Sequence, residues 1–454
     1  MTRAQRLTLL ATIIGSGVVV LDGSVVNLAL PNIGQDLHVG FAGLQWIVDG
    51  YLLSLSALIL LGGSLGDIIG RKRIYLMGVV GFGMVSLLCG IAPNAGVLIA
   101  MRIVQGIFGA MMVPGALAII NTNFPSSDRG KAIGLWTAWT SAIIAIGPLI
   151  GGMLIDQGSW RLIFFINVPL LVVCYLLGVK AIKEGKDDSR LRRVDVAGAT
   201  LAMLSLAAIT YGLIEGPGMH WNALSLMAIG VGTVLFAAFL WFEHRSNDPM
   251  LELGLFKSRN FSGANISTFA MYGALGGFFF ALVIYLQNVV GFSSLQAGLS
   301  TLPVTLFLLG LSGKMGALCA KYGPRRFMTA GPILAGAGIL LLVNIGKGAD
   351  YWTDILPGIL LFALGMAVTV APLTTTVLGS VQASQSGIAS AVNNAVSRVS
   401  GLMVIALLGL FGASHAYRFA TILCGMLAIV AGIISFIMIR SDQVKSASQL
   451  AKEL

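Results

Sequence analysis

The chain has 454 residues, of which 57% are hydrophobic and only 10% charged. A soluble domain carries about 25% charged residues, so this composition excludes an ordinary globular protein and points to a membrane. The net charge of +10 would suit a nucleic-acid binder, but where the bases fall removes that reading.

A helix needs about 20 apolar residues to cross a bilayer. Fourteen runs qualify, at 7–30, 43–62, 74–92, 95–120, 131–154, 162–180, 196–214, 222–242, 261–287, 297–319, 327–345, 353–380, 387–411 and 417–439. The first follows Met1-Thr2-Arg3-Ala4-Gln5-Arg6. It is too long for a signal-peptide core and has no cleavage site, so it reads as a span. With the N-terminus inside, 22 of the 28 bases fall on the cytoplasmic side, including Lys186, Arg190, Arg192, Arg193, Lys445 and Lys452. Only Arg161, Lys347 and Arg418 fall outside, and Arg102, Lys314 and Arg398 lie within spans. This asymmetry is the positive-inside rule. It places both termini in the cytoplasm and accounts for the basic balance, so no nucleic-acid partner is called for.

The charge-dense loop Gly63-Ser64-Leu65-Gly66-Asp67-Ile68-Ile69-Gly70-Arg71-Lys72-Arg73 separates spans 2 and 3. It is echoed at Gly316–Arg326. There Gly63 aligns with Gly316, Gly70 with Gly323 and Arg71-Lys72-Arg73 with Pro324-Arg325-Arg326, while Ala320 replaces Asp67. Pro114 likewise matches Pro372. The repeat predicts an all-α membrane protein of two six-helix bundles, residues 1–180 and 261–454. Two inserted helices at 181–260 lie between them, flanked by charged cytoplasmic linkers. Paired bundles around a midplane site are common in secondary transporters.

Several stretches, in order, resemble the fourteen-helix drug:proton antiporter branch of the major facilitator superfamily. They are Leu21-Asp22-Gly23 through Pro31, Gln45-Trp46 through Tyr51, the Gly63–Arg73 loop, and Arg102-Ile103-Val104-Gln105-Gly106. Gly147-Pro148-Leu149-Ile150-Gly151-Gly152 and Trp160-Arg161 through Asn167-Val168-Pro169 complete the set. The resemblance implies an exporter, since in that family the Gly147–Gly152 motif accompanies antiport.

The residues carry their own physical reading. An acid inside a span is costly and reads as functional. Asp22 lies about 12 Å and Asp49 about 9 Å from the outer ends of their spans, at 1.5 Å per residue. Arg102 reaches a similar depth. Desolvation and a nearby cation pull a carboxyl in opposite directions, so Asp22 and Asp49 are expected to divide proton coupling and attraction of a cationic substrate. Arg102 would bias their protonation, or else staple the bundle by pairing with one of them. Gly63, Gly66, Asp67, Gly70, Arg71 and Lys72 are expected to form a gate, with Asp67 directed at the amino end of span 13 near Ser384 and Ser386. Pro148 removes a backbone donor, and Gly147, Gly151 and Gly152 permit close helix packing. Tyr51, Trp139 and Arg398 are candidates for a substrate cavity. Arg398 has no acid in its half of the spans, with Asn393 and Asn394 nearby, and leaves an anionic or zwitterionic substrate open.

Cys89, Cys174, Cys319 and Cys424 are dispersed in apolar runs and read as buried thiols. The four histidines share no ligand spacing, so no metal, cofactor or catalytic set is expected. The function implied is a monomeric, proton-coupled multidrug exporter of the inner membrane, acting on lipophilic cations by alternating access. A dedicated exporter of one antibiotic or metabolite is the alternative; a membrane-embedded scaffold or enzyme lacks supporting residues.

Overall fold

The computed structural model describes residues 1–185, 195–246, 249–382 and 385–440. Among them the regular structure is entirely helical. The first helices are α1 (Arg3–Asp36), α2 (Phe41–Ile69), α3 (Arg71–Gly90), α4 (Ala95–Asn123) and α5 (Ser126–Gln157). Next come α6 (Leu162–Phe165) and α7 (Asn167–Ala181), which together make one crossing, then α8 (Val196–Glu215) and α9 (Ala223–Arg245). The chain continues through α10 (Arg259–Tyr285), α11 (Ser294–Ser300), α12 (Leu302–Tyr322) and α13 (Pro324–Leu341). It closes with α14 (Leu356–Gly379), α15 (Ser386–Leu408) and α16 (Gly412–Met438). Twelve helical segments among the described residues are long and apolar enough to cross a membrane, which makes this a multi-pass membrane protein. The helices α5 and α13 stand at the positions of the expected fifth and eleventh spans. Of the residues used for the topology and the gate, Lys186, Arg190, Arg192, Arg193, Ser384, Lys445 and Lys452 lie outside the described residues.

The helices begin where polar side chains satisfy their free amides. Thr2 and Gln5 form a reciprocal box at the start of α1. Asn94 caps α4, Asp195 caps α8, Asn222 caps α9 and Ser258 caps α10.

Two compact units result. The first comprises Met1–Met250 together with Ser293–Gly298, and the second Leu251–Phe292 with Leu299–Leu454. The inserted pair, α8 and α9, belongs to the first unit. Its anchor is a hydrogen bond of 2.7 Å from Trp46 Nε1 on α2 to Glu215 Oε1 at the end of α8. Within the first unit α2 packs most heavily on α4, α3 on α4 and α1 on α5; within the second, α13 packs on α14 and α16, and α10 on α15 and α16. Each unit has its own core, around Tyr51, Tyr75 and Phe82 in the first and around Phe261, Met328 and Leu373 in the second.

The internal repeat is present in the backbone. Gly70 (φ 127°) ends α2 and starts α3, and Gly323 (φ 80°) ends α12 and starts α13. Pro114 and Pro372 lie inside α4 and α14. A positive φ suits glycine because it lacks a Cβ. At Gly70 a Cβ would also lie 2.7 Å from Glu184 Oε1. Gly70→Ala should therefore lower stability by about 1–3 kcal/mol. Gly63→Ala should not, because its Cβ would meet only Pro114, at 3.6 Å. Thermal melting of both variants in detergent checks the difference.

Candidate functional site

The polar centre of the first unit is built on α1, α2, α4 and α7. Arg102 is 1% exposed and Asp22 2% exposed. The Arg102 Nη1 donates to Asp22 Oδ2 in a buried ion pair. The same nitrogen donates to Gln105 Oε1 at 2.7 Å, and Arg102 Nε donates to the Ile47 carbonyl of α2 at 3.1 Å. Asp22 Oδ1 accepts from Gln105 Nε2 at 3.1 Å and from Asn167 Nδ2 at 3.0 Å. Asn167 Nδ2 also donates to Ser86 Oγ on α3, which donates to the Phe164 carbonyl. The guanidinium lies over the Tyr51 ring, 4.2 Å from its centroid. A buried ion pair is tolerable only when its remaining donors and acceptors are met. Here both carboxylate oxygens have partners.

Asp49 does not join this cluster. It is 0% exposed, and neither carboxylate oxygen has a hydrogen-bond partner in the structure. Helix geometry gives the reason. Two residues along a helix turn the side chain by about 200°, and Tyr51 is the residue that faces Arg102. Asp49 therefore points away from the face of α2 that carries Tyr51. The three ionisable residues share a depth, as Arg102 bonding to Ile47 attests, but only two of them share a face.

The Gly63–Arg73 stretch forms the end of α2, the Gly70 junction and the start of α3. Asp67 Oδ1 accepts from Arg71 Nε and pairs with its Nη2, each at 2.8 Å, across one turn. Arg71 N donates to the Gly185 carbonyl at 3.1 Å and Lys72 N to Glu184 Oε1 at 3.0 Å.

The glycines of the fifth-helix motif sit against two different partners. A Cβ on Gly147 would lie 3.0 Å from Leu21 Cδ1 and from Ser24 Oγ, and one on Gly151 would lie 2.4 Å from Val25. That face packs α5 onto α1 on either side of Asp22. A Cβ on Gly152 would lie 2.5 Å from the Leu295 Cα, and one on Gly298 2.7 Å from the Pro148 carbonyl. The segment Ser293–Gly298 is thus seated backbone-close on α5. Asp156 fastens it, accepting from Ser294 N at 3.0 Å and Leu295 N at 2.9 Å, while Ser294 Oγ contacts Asn32 Oδ1 at 3.2 Å.

The sequence matches the Major Facilitator Superfamily over residues 12–249 and 264–454. The multidrug resistance protein Stp of Mycobacterium tuberculosis is 34% identical over 411 residues, 90% of this chain and 76% of that protein. A methylenomycin A resistance protein of Streptomyces coelicolor is 31% identical over 449 residues, 97% of this chain and 94% of that one. The multidrug efflux pump LfrA of Mycolicibacterium smegmatis is 33% identical over 395 residues, 86% of this chain and 78% of its own. The chain belongs to the Major Facilitator Superfamily. Solved structures agree in fold. A peptide transporter POT superposes with a TM-score of 0.72 at 14% identity, covering 100% of this chain and 99% of that one. The inward-open xylose transporter XylE of E. coli gives 0.67 at 14% identity, with 99% of each chain covered.

Against that superfamily fold, the remaining candidates separate. Tyr51 is 1% exposed, donates to the Val19 carbonyl and stacks under Arg102, so it supports the ion pair from the Arg102 side of α2. Trp139 is 58% exposed on α5. Its neighbour Trp136 instead turns inward, donating to Ser16 Oγ at 3.2 Å. Arg398 is half-buried on α15, within electrostatic range of Tyr272 on α10. Asn393 donates to Asn265 Oδ1 and Thr268 Oγ1 on that same helix. Sequence reasoning did not single out Gln105, Asn167, Ser86 and Asp156. The spacing of Gln105, three residues after Arg102 on one helix face, was the signal available for the first of them.

Truncating Arg102 to leucine should cost about 3–5 kcal/mol, because it strands Asp22 as a buried charge. The double variant Asp22→Asn/Arg102→Gln should recover much of this in a melting comparison. Asp156 lies beyond the apolar part of α5. Burial pulls its carboxyl up, but bonds from Leu295 N, the Ser293 side chain and Ser294 outweigh this and hold it below the ordinary carboxylate range. A lowered folded-state value means the tether is fully present above the ordinary aspartate value and is lost as pH falls below that through the folded-state value. Hydrogen exchange at the Ser294 and Leu295 amides should lose protection with acidification, and Asp156→Asn should remove that dependence.

Proposed function

We propose that the protein is a monomeric fourteen-span exporter. It moves lipophilic, predominantly cationic small molecules out across the inner membrane in exchange for protons, by alternating access, with both termini cytoplasmic. The drug-resistance and efflux relatives support the export reading. The placement of bases supports the orientation.

The observation that carries the proton-coupled reading is Asp49. A carboxylate buried without a hydrogen bond or counter-ion is strongly disfavoured. The neutral acid is the form its present surroundings tolerate, so ionisation requires a change that brings water or a cation to it. That linkage is what an antiporter needs, because occupancy by a proton and by a cationic substrate then exclude each other. Asp22 plays a different part. Held by Arg102, Gln105 and Asn167, it keeps α1, α4 and α7 in register. The Asp67–Arg71 pair and the Gly70 junction supply the gate, and the Gly147–Gly152 face lets α5 close on α1 and on Ser293–Gly298.

A second reading, a dedicated exporter of one antibiotic or metabolite, is favoured by Arg398. A cation deep in a span with amide neighbours suits a substrate bearing an acidic or carbonyl group. The two readings differ in substrate range and share the proton step.

Inverted vesicles under an imposed pH gradient test that step. Wild type should move a fluorescent lipophilic cation against its gradient. Asp49→Asn should abolish gradient-driven movement, at least ten-fold, while retaining binding and energy-independent exchange. Undiminished gradient-driven transport by Asp49→Asn would sink the assignment of the proton to this residue.

A further inference from the structure

A groove of about 560 Å³ runs along the outside of the first unit between α3, α4 and α7. Its walls are Leu76, Met77, Val80, Gly81, Phe108 and Tyr175, and its mouth is formed by Lys72, Arg73 and Glu184. Met77, Val80 and Tyr175 are 51%, 43% and 39% exposed. From Arg73 to Gly81 the floor descends eight residues of helix, about 12 Å. At the deep end Gly81 lets the Phe108 ring pack against α3 as the apolar wall, since a Cβ there would lie 2.2 Å from that ring.

The mouth carries two bases against one acid. Glu184 Oε1 is turned to the backbone, accepting from Lys72 N and Gly185 N at 3.0 and 3.2 Å. Lys72 Nζ donates to the Val179 carbonyl near the end of α7 at 2.8 Å, which leaves two of its three donors. Arg73 is exposed and has no ion pair or side-chain hydrogen bond among the described residues. A cationic mouth over an apolar trough of this depth, on a membrane helix, matches an acyl chain below an anionic phosphodiester.

We propose that this groove is a binding site for an acidic phospholipid of the leaflet that faces Lys72 and Arg73. The headgroup phosphate sits on Arg73 and Lys72, and one acyl chain lies along Leu76, Val80 and Phe108. The bound lipid joins the start of α3 to the end of α7, directly beside the Gly70 junction. It thereby stabilises the loop in the arrangement described. The site rests on the membrane topology and is independent of the substrate and of the proton step.

The full-length protein in mild detergent is titrated with phosphatidylglycerol, phosphatidylcholine or inorganic phosphate while melting is followed, since a ligand that binds only the native state raises Tm. Phosphatidylglycerol should raise Tm and the other two should not, with one molecule retained per chain in native mass spectrometry. Arg73→Gln removes a side chain without a partner and should fold. Its apparent affinity for phosphatidylglycerol should fall on the order of five-fold, the effect of one basic residue at an anionic headgroup. Val80→Trp, at a position already exposed, should fill the groove and remove the retained lipid. Equal shifts with phosphatidylcholine would overturn the anionic selectivity. A shift reproduced by inorganic phosphate, displacement of the lipid by a transported cation, or an unaltered response in both variants would overturn the site.

Discussion

The buried pair between Asp22 and Arg102 is the constraint on which the first unit depends. Two charges out of water cost several kcal/mol each, and mutual attraction alone does not offset that. The structure answers with a closed set of donors and acceptors from Gln105, Asn167, Ser86 and the Ile47 carbonyl. Those groups come from α2, α3, α4 and α7, so satisfying one ion pair fixes the relative positions of five helices once α1 is counted. In a membrane, where apolar burial distinguishes poorly between helix neighbours and lipid tails, such a polar knot specifies which helices meet. The Tyr51 ring beneath the guanidinium adds a cation–π contact and keeps lipid and water away.

The glycine face of α5 is the packing counterpart of that knot. Gly147 and Gly151 bring α5 onto Leu21, Ser24 and Val25, the residues around Asp22, with room for no larger side chain. Gly152 does the same for the Leu295 backbone. One helix face thus serves two contacts. The upper one is held additionally by Asp156, an exposed carboxylate whose bonds are open to water and so individually weak. A close-packed contact to α1 thus lies beside a contact to Ser293–Gly298 that exposed hydrogen bonds help hold.

Much of this was legible in the sequence. Span length and hydropathy gave the helices, because every backbone group in lipid must be paired internally. The repeat gave the Gly70 and Gly323 junctions and the paired prolines. Depth within a span was legible too, and it put Asp22, Asp49 and Arg102 at one level. Azimuth was not. A helical sequence fixes relative angles around its own axis but does not say which neighbour lies at each angle. Depth alone therefore groups Asp49 with Asp22 and Arg102, while the structure leaves it outside their hydrogen-bonded set. At short range the sequence is more informative: Arg71, four residues after Asp67, lies one helical turn on, and the two pair.

The two copies of the repeat keep the same turns and differ in charge. Among the described residues all four ion pairs lie in the first unit. The second unit joins its buried helix faces with neutral bonds, as in Asn393 to Asn265 and Thr268 and Ser267 to Ser435, while Arg259 and Arg325 donate to carbonyls at the end of α16. Neutral amides and hydroxyls cost less to bury than charges and need no saturated shell. A unit built that way can leave Arg398 half-buried on α15 without a paired acid, provided its guanidinium meets water or a ligand. Loss of the acids from one copy therefore does more than simplify packing. It leaves the first unit with the buried acids Asp22 and Asp49 and the second with Arg398 half-buried among neutral amides and hydroxyls.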